Sequence, residues 1–123
     1  GNPVTAVWSE SRKAEDILNG IRAGRCFVSK SIDGPRLRLG YGGARMGETA
    51  KYSNETEIEI SAEKLGGAKI ILVTRDGEQT VFKGGKDEFS GKFNLPKTNF
   101  AYIKAVKGRR QTVKAVSNPI YFE

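Results

Sequence analysis

The sequence predicts a mainly β fold, an antiparallel β-sandwich of the immunoglobulin-like or a similar type, with one amphipathic helix near the N-terminus. Short segments alternate apolar and polar residues, turn signals rich in glycine, aspartate and asparagine separate them, and helical periodicity is confined to the first 24 residues. A length of 123 residues suits one ordinary domain, which buries roughly two thirds of the surface of its unfolded chain. We therefore expect a self-standing core.

The helix is predicted from an apolar stripe that precedes Gly24. Its members recur three or four residues apart and are Ala14, Ile17, Leu18 and Ile21. Ser9 or Ser11 can cap its start, and Gly24 is placed to end it. On this pattern we divide the chain into an N-terminal helical arm, residues 1–30, and a β-sandwich, residues 31–123.

Strands are predicted where the period of the pattern changes to two. They cover 26–29, 35–41, 55–60, 68–75, 78–82, 88–95, 100–106, 111–116 and 120–122. The continuous apolar run 70–73 indicates a central strand that is covered on both faces. Asp76-Gly77, directly after this strand, is typical of a hairpin turn.

Charges on outward faces predict one strand pairing. Arg36 and Arg38 lie on the outward face of one strand, and Glu57 and Glu59 lie on that of another, so we expect the two strands to be neighbours. The glycine-rich segment 40–45 lacks the Lys-Ser/Thr ending of a phosphate-binding loop, and no helix is predicted after it. We interpret it as a turn between strands.

Two residue counts limit the chemistry. The chain has no histidine and one cysteine, Cys26. Ser-His-Asp and Cys-His nucleophiles are therefore excluded, as are internal disulfides and CxxC metal knuckles. Cys26 precedes the apolar pair Phe27 and Val28 and is expected to be a buried structural thiol. The single cysteine, with no secretory signal or membrane-spanning run in the sequence, predicts a cytoplasmic chain that does not enter a membrane.

The net charge leaves anionic partners open. The sequence carries 21 Lys and Arg against 14 Asp and Glu, a balance of +7. The segment 104–114 contains no acidic residue, and its cations are the candidate contacts for an anion or an acidic partner: Lys104, Lys107, Arg109, Arg110 and Lys114. The alternative is a solvated hairpin whose lysines protect a sheet edge. Specific nucleic-acid binding is not expected, because no recognition helix accompanies the segment.

Several short motifs together resemble part of one enzyme family. They are Asn2-Pro3-Val4-Thr5, the segment 21–29, Gly34-Pro35, Met46-Gly47-Glu48 and Ser117-Asn118-Pro119-Ile120-Tyr121. In this order they resemble the last helix and strand of the catalytic barrel, and the β domain appended to it, in the PHP (polymerase and histidinol phosphatase) family of metal-dependent phosphoesterases. The resemblance covers nearly the whole chain.

The resemblance implies a non-catalytic accessory domain. The family holds divalent metal ions on barrel residues that precede the segment resembling 2–5, so no catalytic, metal or cofactor residue is carried over. Residues 1–30 would be a remnant of that barrel, and residues 31–123 would support it, shape substrate access or mediate assembly. The helical arm would contact the barrel or the arm of a second copy in a homodimer, through Trp8, Ile17, Leu18 and Ile21. One departure from the family is Lys104, where arginine is common.

Two further functions stay open. The sandwich could be a stand-alone binding module for an anionic ligand, either nucleic acid or glycan, that acts through the basic hairpin 104–114. An enzyme in its own right would need a site built from a carboxylate and a lysine, because no acid–base pair with histidine or metal can be assembled. The spacing of the residues reveals no such site.

Overall fold

The computed structural model describes residues 4–123, so Asn2 and Pro3 of the motif above fall outside the described residues. It contains one helix, α1 (Ala14–Arg22), within this range. The strands are β1 (Val4–Val7), β2 (Cys26–Ser29), β3 (Arg36–Tyr41), β4 (Ala44–Arg45), β5 (Thr49–Ala50), β6 (Glu57–Glu63), β7 (Lys69–Thr74), β8 (Gly77–Phe82), β9 (Phe89–Asn94), β10 (Phe100–Lys107), β11 (Thr112–Ser117) and β12 (Ile120–Phe122). Two mainly antiparallel sheets confirm the predicted β-sandwich.

The larger sheet is built around β10. On one side, β11, β2 and β1 follow in that order, and on the other side lie β7 and then β8. The start of β10 also pairs with β12, which runs parallel to β5. Ile70 and Leu72 of β7 pack in the main core, whereas Ile71 and Val73 pack on the other face of the sheet beside Val106, Phe100 and Tyr102. Ile70 to Thr74 are therefore all buried, and with β10 and β8 on its two sides β7 is the predicted central strand.

The smaller sheet has the order β4-β3-β6-β9. The pairing of β3 with β6 confirms that the two charged strands are neighbours. The register differs from the expected charge pairing, because Arg36 lies opposite Glu63 and Arg38 opposite Ser61, whereas Glu59 lies opposite Gly40. The Arg36 guanidinium lies 3.8 Å from the Glu63 carboxylate. The β3–β4 hairpin turns at two glycines with positive φ, Gly42 and Gly43, as interpreted from the glycine-rich segment.

The core fills the space between the sheets. Leu37 and Ile58 from the smaller sheet pack with Ile70, Leu72 and Ile103 from the larger one, and all five side chains are almost inaccessible to solvent. Alternation along each strand places these residues on the inner faces and leaves charged residues outside. Burial of such side chains is the main stabilising contribution, about 1.5–3 kcal/mol for each.

The N-terminal segment contributes two strands to the larger sheet. The predicted division at residue 30 stays a prediction, but β1 and β2 lie before it and pair through β11 with the rest of the sandwich. The strand β1 lies within residues 1–30, the predicted helical arm. The two-residue strands β4 and β5 were not predicted either, because they are too short to show alternation.

Two local predictions need correction. The helix begins at Ala14 after Lys13, with no side-chain cap, because the Ser11 hydroxyl contacts the Asp16 carboxylate and accepts only the Lys13 N–H. Cys26 is half-buried rather than buried, and its Sγ lies 3.1 Å from the Asn118 side-chain amide. Gly24 ends the helix as predicted, with a φ of 74°.

Candidate functional site

Four lysines converge on one cleft at the end of the sandwich where β2, β6, β10 and β11 come together. Lys30, Lys64, Lys107 and Lys114 line a volume of about 360 Å³. Ser31, Gly34, Pro35, Leu65 and Gly66 complete the lining, which contains no acidic residue. We call this feature the lysine cleft.

Backbone geometry places each lysine. Lys30 directly follows β2, and its N–H donates to the Lys114 carbonyl at 2.8 Å. The register of β10 and β11 shifts at this point, so Lys114 is an extra, bulged residue without a partner opposite it. Lys64 follows β6 with a φ of 56°, and the Lys107 ammonium contacts the Gly66 carbonyl. Strand ends and a bulge therefore bring together residues distant in sequence.

The electrostatics of the lysine cleft are dominated by repulsion. The Lys30 ammonium is the main cause that lowers the pKa of Lys114 below its usual value, desolvation by burial is the next, and Lys107 adds a smaller effect. Within residues 4–123, none of the four ammonium groups lies within 4.0 Å of a carboxylate. The nearby Asp87 carboxylate accepts the Gly66 N–H at 2.8 Å. The repulsion that Lys30 and Lys107 exert on Lys114, in a lining that also includes Lys64 and contains no carboxylate, favours an anionic ligand.

The structure separates the five cations of the predicted hairpin. Lys107 and Lys114 lie in the lysine cleft. Lys104 lies on the outer face of the larger sheet, where its ammonium is 2.6 Å from the Glu78 carboxylate. Arg109 and Arg110 are exposed in the β10–β11 turn. Sequence reasoning missed Lys30 and Lys64, since only the pairing of β2 with β11 and the turn after β6 place them near the hairpin.

The predicted contact residues of the N-terminal arm differ in their exposure to solvent. Leu18 and Ile21 are 49% and 50% exposed, and Ile17 is half-buried. Trp8 instead packs within the chain: its ring centroid lies 6.0 Å from that of Phe27, and its indole N–H donates to the Leu37 carbonyl at 2.8 Å. The helix itself docks through Gly20, its one buried residue.

The described residues offer no metal-binding cluster and no membrane-spanning helix. Among residues 4–123, no group of three or more Asp, Glu or Cys side chains is arranged to hold a metal ion. No described helix has both the length and the apolar composition needed to cross a membrane. Comparisons with protein-family models, curated proteins and solved structures find no match for this chain.

Proposed function

We propose that the chain is a non-catalytic accessory domain that holds an anionic ligand in the lysine cleft. The observation that carries this proposal is the convergence of four lysines in a cleft without an acidic lining residue. An anion between them relieves the repulsion that lowers the pKa of Lys114. The folded chain therefore offers a charged ligand a site whose cations are already brought together.

The lysine side chains indicate the class of ligand. Ammonium groups are compact, well-hydrated charges on flexible stems, so they bind phosphate as point charges and not by a fixed two-pronged geometry. No base-reading element lies in the cleft lining. We therefore expect weak, salt-sensitive binding of phosphate-bearing polyanions with no preference for base sequence.

Replacement of two cleft lysines should weaken polyanion binding. The probe is a single-stranded DNA oligonucleotide of mixed sequence. Four lysine contacts predict a slope of about −3 for the logarithm of the binding constant against the logarithm of the salt concentration. The double variant Lys30→Gln, Lys114→Gln keeps two of these contacts, so its slope should be about −1.5. Fluorescence anisotropy at several salt concentrations measures the slope. The control is Lys97→Gln. The Lys97 carbonyl accepts a hydrogen bond from Arg75, which lies near the end of β10 opposite to the lysine cleft. At about 3.3 Å per strand residue, that end is roughly 20 Å from the cleft. Equal slopes for the double variant and the wild type would refute the site.

A second proposal concerns the longer protein. We propose that the accessory domain belongs to a PHP-type phosphoesterase of the cytoplasm, where α1 packs against the catalytic barrel or a second copy. The exposed Leu18 and Ile21 support this, because apolar helix residues are normally covered. The lysine cleft would then attract anionic substrate toward the barrel. The test is the sequence immediately before Asn2: a histidine-rich metal barrel supports the proposal, and an unrelated domain contradicts it.

A further inference from the structure

The outer face of the smaller sheet contains a hollow that is separate from the lysine cleft. In two adjacent rows across β3, β6 and β9, small residues stand beside long ones. One row is Gly40, Glu59 and Lys92, and the other is Arg38, Ser61 and Ser90. The missing side chain of Gly40 and the short serines leave a depression between the charged side chains.

Residues beyond these two rows wall the depression, and one of them, Arg45, comes from the neighbouring strand β4. Trp8, Arg25, Arg45 and Met46 join the sheet residues around a volume of about 650 Å³. This volume lies within the range of 300–1,000 Å³ that is typical of small-molecule sites. The hollow shares no lining residue with the lysine cleft, so the two sites can be tested independently.

The charges of the hollow fall into two groups. Lys92 lies 3.4 Å from the Glu59 carboxylate, and Arg45 lies 3.9 Å from Glu48. Within the described part of the chain, Arg25 and Arg38 have no carboxylate within 4.0 Å. Two guanidinium groups therefore remain available to a ligand.

Arg38 is held in place by an aromatic ring. Its guanidinium carbon lies 3.9 Å from the centroid of the Trp8 ring, and the Trp8 N–H is anchored on the Leu37 carbonyl. This arrangement also occupies one face of the Trp8 ring. The other aromatic lining residue, Tyr41, is buried, with its ring packed edge-on against Phe122. The hollow therefore favours hydrogen bonding over the stacking that a nucleic-acid base requires.

We infer that this hollow binds an anionic sugar. A carboxylate or phosphate group would accept charge-assisted hydrogen bonds from Arg38 and Arg25. The sugar hydroxyls would bind the hydroxyls of Ser61 and Ser90 and the carboxylate of Glu59, all of which line the hollow. Both uronic acids and sugar phosphates provide this combination of one anionic group and several hydroxyls.

The test compares three probes against the full chain by calorimetry: glucuronate, glucose 6-phosphate and neutral glucose. We expect at least one of the two anionic probes to bind with a Kd of about 1 mM or below and at least tenfold more tightly than glucose. The stronger anionic probe identifies the source of the charge. Equal binding of glucose, or no binding of either anion at about 10 mM, would overturn the inference.

Two variants locate the binding. Gly40 has no positive φ, and a Cβ there would lie 3.7 Å from its nearest neighbours, so Gly40→Val fits the strand while its methyl groups fill the hollow. Arg38→Gln removes one guanidinium, and Arg109→Gln makes the same charge change in the distant hairpin turn. We expect the affinity for the stronger anionic probe to fall at least tenfold in Gly40→Val and in Arg38→Gln and to stay unchanged in Arg109→Gln. Unchanged affinity of Gly40→Val would exclude the hollow, whatever the effect of Arg38→Gln.

Discussion

Gly47→Ala is expected to destabilise the chain by about 3–5 kcal/mol, because two backbones meet where the new methyl group would lie. A Cβ at this position would be 2.2 Å from the Ala23 carbonyl oxygen and 2.5 Å from the Gly24 Cα. The residue also has a φ of 85°, which L-amino acids with side chains rarely adopt. Urea denaturation of both proteins measures the difference.

Gly43→Ala is the matched control for this prediction. Gly43 has a φ of 88°, but a Cβ there meets no atom within 4 Å. The control therefore carries the backbone strain alone, about 1–2 kcal/mol. The additional loss of unfolding free energy in Gly47→Ala, relative to Gly43→Ala, measures the close contact of the α1 C-terminus with the segment that follows β4. Equal losses in the two variants would mean that the N-terminal segment is not docked at this point.

Trp8→Ala is expected to cost about 2–4 kcal/mol, slightly less than truncation of a fully buried tryptophan. The substitution removes the packing on Phe27, the hydrogen bond to the Leu37 carbonyl and the contact with Arg38. Trp8→Phe keeps most of the ring and loses the hydrogen bond, for about 1 kcal/mol.

The reference for the Trp8 series is Ile32→Ala. Ile32 is 77% exposed and should change stability by no more than about 0.5 kcal/mol. Thermal and urea denaturation at two protein concentrations provide the values. A loss below 1 kcal/mol for Trp8→Ala would contradict the packing of Trp8 within its own chain, and a loss that depends on concentration would assign the contact to a second copy.

The strands were predictable wherever burial imposes a simple pattern. Alternation in β3 and β6 predicted both strands, since one face of each contacts the core, and the charges on their outward faces predicted that they are neighbours. The run in β7 predicted a central strand because both faces are covered. The edge strand β1 was missed, since its burial pattern is irregular and its four residues pair only with β2.

The candidate site was less predictable than the fold. The local density of cations identified Lys107 and Lys114, because these lie on one hairpin. It also selected Lys104, which the alternation of β10 places on the other face beside Glu78. The position of Lys30 in the cleft depends on the pairing of β2 with β11, and that of Lys64 depends on its own left-handed backbone conformation after β6. Such long-range placement has no signature in a single sequence.

The most direct test of the lysine cleft is an NMR titration with tripolyphosphate that follows the side-chain signals of the lysines and arginines of the chain. Binding should move the side-chain signals of Lys30, Lys64, Lys107 and Lys114 and raise the pKa of Lys114, because the bound anion offsets the repulsion from Lys30. Signal changes confined to Arg109, Arg110 and Lys104, with the pKa of Lys114 unchanged, would contradict the account and assign the binding to the hairpin.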